Sequence, residues 1–397
     1  MRTVIVGTSV AGVRAAQALR RNGGEDEILL VGAESHLPYD KPCLSKGMLS
    51  GAVAPEKNCL LTESAAAELG IRTALSQRAV GLDPEAAVLH TTAGRIPYDR
   101  LVIATGASAR TLPWSDLPGV HSLRTRADCE ALRADLRRGS RLVVVGGGFI
   151  GCEVAATARG LGLDVTIVEP EATLLPVAGP ELGALAGEWH AGHGARVRVG
   201  EAVRAIVRAG GGLVVELRGG EVLDADCVVL GIGAVPNTGW LEGSGLDIAD
   251  GIACDAWGRV HCHENVLAAG DVARWQDPVS GTARRVEHWT NATEQAAVVG
   301  KVLAGASDVA AHRVNTYVWS DQYDRTMSFV GRRACATRVT RFDDPRKNGV
   351  AFVGADEQGG LAFAAVVNWP RALLAVRKAI NGGVPCAVVE EQLTPAA

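Results

Sequence analysis

The chain has 397 residues, of which 47% are hydrophobic and 21% charged, and 48 of them are glycine. That balance excludes a disordered or fibrous protein, and the length asks for two or three domains. A net charge of -4 excludes the overall basic field that draws nucleic acid or acidic lipid, and no apolar run approaches the roughly 20 residues that span a bilayer.

Taken in chain order, Thr3 to Val6 reads as a strand, Gly7, Ser9 and Gly12 as a glycine turn, Val10 to about Asn22 as a helix, and Ile28 to Val31 as a second strand running on to Glu34. This is a βαβ unit closed by an acid about twenty residues beyond the turn. The chemistry needs that order. A pyrophosphate must approach the backbone at a helix N-terminus, where unpaired N–H groups and the helix dipole favour negative charge, while the acid accepts hydrogen bonds from ribose hydroxyls. Ser9 stands where the middle glycine of G-x-G-x-x-G is usual, and its small side chain is compatible with the turn. The opening apolar stretch runs directly into this turn and is too short for a secretory signal, so the cytoplasm is the expected location.

A second copy follows. Arg141 to Val145 reads as a strand, Gly146, Gly148 and Gly151 complete an intact G-x-G-x-x-G, a helix comes next, and Val165 to Val168 forms a strand ending at Glu169. Two such units predict two bound dinucleotides. A carboxylate at 169 pairs with a free 2'-hydroxyl and repels a 2'-phosphate, which favours NADH over NADPH.

Between the copies lies Tyr98-Asp99-Arg100-Leu101-Val102-Ile103-Ala104-Thr105-Gly106-Ala107, and later Ala269-Gly270-Asp271-Val272-Ala273. Both segments resemble the ATG and GD motifs of the two-dinucleotide-binding flavoproteins, a family that includes glutathione reductase, NADH oxidases and ferredoxin reductases. Three further stretches resemble its oxygenase-coupled, putidaredoxin reductase-like ferredoxin reductase branch: Pro38 to Lys46, Glu287 to Ala292, and Trp319 to Asp324. The implied fold is α/β, with two Rossmann-like dinucleotide-binding domains and an α+β interface domain. The implied division is an FAD domain in two pieces, 1–106 and 235–312, an NAD domain at 107–234 and a C-terminal interface domain at 313–397.

The resemblance also implies roles. FAD would be held by Gly7, Ser9, Ala11, Gly12, Glu34, Lys41, Lys46, Ala104, Thr105, Gly106, Asp271, His288 and Trp289, and NADH by Gly146, Gly148, Ile150, Gly151, Glu169 and Gly233. Lys46 and Glu153, the latter expected in the first turn of the second dinucleotide helix, would pair beside the flavin, with Trp319 over the nicotinamide pocket. The implied activity is hydride transfer from NADH to FAD, then single-electron transfer to an iron-sulfur ferredoxin that serves an oxygenase. Departures from the branch are clear: Lys41 replaces an arginine, Cys43 replaces a proline, and Met327-Ser328 replaces Leu-Gln. Loss of the guanidinium fork at 41 keeps a cation but not bidentate pairing.

Nine scattered cysteines without C-x-x-C spacing read as reduced thiols. Cys43 leaves open an NADH oxidase or a disulfide or peroxide reductase, although the Ser-Phe-x-x-Cys-Gly setting of one-cysteine relatives is absent. A sensor resembling apoptosis-inducing factor is the other alternative. His190 with His193, and His261-Cys262-His263, lack a four-ligand metal pattern. An acidic ferredoxin calls for a positive face, and residues 313–397 carry eleven Lys or Arg against eight Asp or Glu, densest at Arg332, Arg333, Arg338, Arg341, Arg346 and Lys347. A monomer or homodimer is expected.

Overall fold

The computed structural model describes residues 1–314, 316–344 and 348–394. They fall into two compact units, one made of Met1–Lys41, Ala54–Ser108 and Ala234–Asn315, the other of Pro42–Val53, Ala109–Gly233 and Thr316–Ala397.

The first unit is built on a nine-stranded sheet. Strand Arg2–Val6, third from one edge, runs parallel to Glu27–Val31 on one side and to Arg100–Ile103 on the other. These strands are apolar at successive positions because both faces are covered, and Val4, Ile5, Leu30, Leu101, Val102 and Ile103 have no exposed surface. Helices Val10–Arg21 and Trp289–Leu303 pack closely: a Cβ on Gly300 would come within 2.3 Å of the Ala18 Cβ and 2.7 Å of the Leu19 nitrogen. One buried polar group ties the sheet together. Asp26 accepts from the Thr3 hydroxyl (2.5 Å) and from Arg100 at both oxygens (2.9 and 2.8 Å).

The second unit holds a five-stranded parallel sheet in the order Arg196–Val199, Asp164–Glu169, Arg141–Val145, Cys227–Leu230, Val120–His121. An antiparallel meander, Val203–Ala209, Gly212–Leu217 and Val222–Ala225, shares its apolar core. The same unit includes an antiparallel sheet ordered Val318–Gln322, Arg325–Gly331, Leu361–Val367, Gly349–Ala355, Arg338–Asp344, with helices Pro370–Gly382 and Cys386–Leu393 packed on it. The α/β class expected from the sequence is what is found. Residues 42–53 group with this second unit. Among the described residues, no helix is long and apolar enough to cross a membrane.

Candidate cofactor and hydride-transfer sites

In the first unit the glycine turn is required by distance. Gly7 has φ +120°, and a Cβ there would stand 2.0 Å from the Ala104 carbonyl oxygen; one on Gly12 would stand 1.9 Å from the Gly7 oxygen. Only hydrogen fits at either place, so the helix seats directly on the strand ends. Ser9 is the extended N-cap and its side chain caps no helix N–H, which leaves the helix N-terminus open to an anion. Ala11 is buried and lies 3.0 Å from where a Gly270 Cβ would be. The Gly270 N–H donates to Gln295 Oε1 (2.8 Å), fixing the loop that carries Asp271 to the Trp289–Leu303 helix, whose N-cap is His288. Thr105 and Asn237 exchange hydrogen bonds of 3.1 and 2.8 Å, and the Asn237 N–H donates to the Gly106 carbonyl.

Glu34 is already engaged. It accepts from the Tyr39 hydroxyl (2.6 Å) and from Lys41 Nζ (3.4 Å), while the indole N–H of Trp289 donates to Asp40 (2.7 Å). The run Tyr39-Asp40-Lys41 is thus anchored at each residue. Tyr39, Asp40, Asn237 and Gln295 were given no individual roles by sequence reasoning; Asp40, Asn237 and Gln295 act through partners distant in the chain.

The second unit repeats the device. Gly146 has φ +103° and its Cβ would meet the Gly231 oxygen at 2.4 Å; a Gly151 Cβ would meet the Gly146 oxygen at 2.0 Å. Gly148 differs, since nothing lies within 4 Å of its absent Cβ. The protein's own packing does not demand a glycine there. Ile150 is exposed beside this open turn, and Gly233 likewise faces open space. Buried Glu169 accepts the Gly147 N–H (2.6 Å) and the Glu171 N–H (2.9 Å), so it shapes the turn and still has lone pairs for further donors. A largely apolar cleft opens at the strands' carboxyl ends, lined by Leu112, Trp114, Val145, Pro170, Val203 and Ile232 and edged by Arg204 and Arg218. Leu112, Trp114, Pro170 and Ile232 come from loops without a motif, and sequence reasoning did not find them.

Lys46 and Glu153 meet within this unit, Nζ to Oε1 at 2.9 Å. Glu153 lies beyond the first turn of helix Phe149–Gly160, correcting the expected position by one residue. Its side chain is only 4% exposed, and a carboxylate that deeply placed needs several donors. Besides Lys46 it accepts from Ser45 Oγ (2.5 Å) and Ser320 Oγ (2.7 Å), neither of which was given a role by sequence reasoning. Thr157, one turn further along the helix, donates to the Ser45 carbonyl (2.7 Å) and holds that loop. Trp319 adjoins Ser320 on strand Val318–Gln322 and stacks on Tyr317, ring centroids 6.2 Å apart. Cys43 ends a short 3-10 turn, Lys41–Cys43, and is a half-buried free thiol.

Three of the six residues of the basic group expected near the C-terminus have carboxylate partners. Arg333 pairs with Glu181, Arg338 with Glu390 and Arg341 with Asp343, at 2.8, 2.8 and 2.7 Å. Arg346 and Lys347 lie outside the described residues. Such pairing leaves little field a Debye length away. His190 and His193 are not disposed around a common ligand position either; His190 is buried and bonded to Tyr323 and Gln322. Among the described residues no three His, Cys, Asp or Glu side chains are gathered to hold a metal.

Two glycine-built anion cradles, each beside a carboxylate at the second strand's end, define a protein for two dinucleotides. The chain belongs to the pyridine nucleotide-disulphide oxidoreductase family, which it matches over residues 1–296, and residues 317–393 match the reductase C-terminal family. It is an NAD(P)H-dependent flavoprotein oxidoreductase. It is 39% identical to the ferredoxin–NAD(+) reductase component of an anthranilate 1,2-dioxygenase system from Burkholderia cepacia, over 96% of this chain and 94% of that one. The ferredoxin reductase for the CYP199A2 system from Rhodopseudomonas palustris superposes with a TM-score of 0.92 at 31% identity, covering 99% and 100% of the two chains. The reductase in the covalent putidaredoxin reductase–putidaredoxin complex gives 0.92 at 29% identity, covering 99% and 98%.

Proposed function

We propose that this protein is an NADH-dependent ferredoxin reductase, taking a hydride from NADH and delivering electrons singly to an iron-sulfur ferredoxin that feeds an oxygenase. FAD, when bound, supplies the conversion between a two-electron hydride and single electrons. The glycine cradles fit both coenzymes, because each leaves a helix N-terminus and an uncrowded backbone where a pyrophosphate belongs. Gly7, Ser9, Ala11, Gly12, Glu34, Lys41, Ala104 to Gly106, Asp271, His288 and Trp289 would hold the flavin coenzyme. Gly146, Gly148, Ile150, Gly151, Glu169 and Gly233 would hold NADH, and the apolar cleft beside Trp114 and Ile232 suits an adenine. A carboxylate at 169 repels the extra phosphate of NADPH.

The observation that carries this reading furthest is the pairing of half-buried Lys46 with buried Glu153, since a desolvated carboxylate has no packing purpose that an apolar side chain would not serve better. Glu153 fixes Lys46, whose ammonium favours negative charge developing nearby, and Trp319 would wall the hydride path from water. The nine cysteines are all free thiols, which suits the reducing cytoplasm. The test is NADH oxidation followed with an iron-sulfur ferredoxin, with oxygen alone, and with a disulfide as acceptor. Ferredoxin should be reduced far faster than the other two are consumed; a disulfide or oxygen preferred over ferredoxin would reject the reading.

A further inference from the structure

Behind Glu153 lies a line of polar side chains that no role above requires. Ser320 donates to Glu153 Oε1 (2.7 Å), Gln322 Nε2 donates to Ser320 Oγ (3.1 Å), His190 Nε2 meets Gln322 Oε1 (3.1 Å), and His190 Nδ1 meets the Tyr323 hydroxyl (2.9 Å). Ser320, Gln322 and His190 are almost wholly buried.

The direction of every bond follows from the end of the line. A carboxylate only accepts, so Ser320 spends its one proton on Glu153 and must accept from Gln322. That turns the Gln322 amide nitrogen toward Ser320 and its oxygen toward His190. The histidine then donates from Nε2, which leaves Nδ1 to accept the Tyr323 proton. Burial pushes the His190 pKa down to about 4 and the Tyr323 pKa up, so both stay in the neutral forms this order requires. Tyr323 is clamped between His190, edge-on at 5.2 Å, and His193, stacked at 3.7 Å. Four dipoles therefore point one way, toward the carboxylate.

We propose that Ser320, Gln322, His190 and Tyr323 form a one-way hydrogen-bond chain that holds the Glu153 carboxylate in place on Lys46, making them positioning residues for hydride transfer. The proposal rests on the function proposed above for the Lys46–Glu153 pair. The other ionisable groups facing the chain are Lys46 on the 42–53 segment, Cys152 near Glu153 and Tyr323, and His193 and Arg159 near His190 and Tyr323.

The FAD-loaded enzyme mixed rapidly with NADH tests this. Ser320→Ala and Gln322→Met should slow flavin reduction about tenfold, with half-saturating NADH changed less than about twofold. Ser320→Thr should restore the rate. Independently, two-bond proton–nitrogen spectra of histidine-labelled holoenzyme should show His190, assigned by its loss in His190→Gln, as the neutral Nε2–H tautomer at neutral pH. An Nδ1–H tautomer, a protonated His190, or a flavin-reduction rate unmoved by Ser320→Ala would overturn the chain. A wild type that NADH cannot reduce would instead overturn the functional reading, together with the catalytic part of this proposal.

Discussion

Exchanging Glu153 for Gln preserves its shape but removes the charge that faces Lys46 at 2.9 Å. Ser45 and Ser320 then lose a strong acceptor, and the Lys46 ammonium keeps, among the described residues, the Pro42 carbonyl at 3.2 Å. Flavin reduction by NADH should slow roughly 10- to 100-fold, with Lys46→Met behaving alike and the double variant no worse than either, as groups acting as a unit do. Additive or near-zero effects would show two independent charges. Cys43→Ser should leave ferredoxin reduction unchanged within about twofold in the same assay, because no step proposed here uses the thiol. At this scale the sequence named the ion pair through a family resemblance, yet it gave no role to Ser45 or Ser320, although both lie in stretches that carry that resemblance. A serine that satisfies a buried carboxylate from 108 or 167 positions away has no local pattern to betray it.

Among the elements, the two glycine turns separate folding from binding. Gly151→Ala sets a methyl 2.0 Å from the Gly146 oxygen and pries the helix from its strand, which should destabilise by about 3 kcal/mol in thermal or denaturant unfolding. Gly148→Ala meets nothing and keeps an ordinary backbone conformation, so stability should hold while NADH binding weakens at least about tenfold and bound flavin is undisturbed. Equal losses of stability in both would contradict this division. Gly300→Val should also destabilise, through the close approach to Ala18 and Leu19. The crossover units were legible from their period and spacing, down to strand ends within a residue or two. The Tyr39–Glu34 and Asp40–Trp289 bonds were not, since the latter joins residues 249 apart.

Across the whole molecule, each unit buries one neutral histidine. Burial holds His190 in the second unit and His312 in the first at a pKa of about 4, below the ordinary 6.5. The unfolded chain therefore binds more protons than the folded one between these values. Stability is fully present above about pH 6.5 and lost as pH falls toward about 4, by roughly 3 kcal/mol for each residue. Melting temperature against pH should fall through that window, and His312→Gln should flatten the fall; an unchanged acid limb in that variant would contradict the assignment. Surface charge was the least legible property. Counting arginines from 332 to 347 gave a positive face, whereas Arg333, Arg338 and Arg341 have carboxylate partners that composition cannot reveal.

The most direct test of the central claim is the stoichiometry of a single anaerobic reaction containing FAD-loaded protein, a limiting amount of NADH and excess oxidised iron-sulfur ferredoxin. The account predicts loss of the oxidised flavin absorbance on NADH addition, its return as ferredoxin is reduced, and two ferredoxins reduced for each NADH consumed. Flavin that NADH leaves oxidised, or flavin that is reduced but never passes its electrons to ferredoxin, would contradict it.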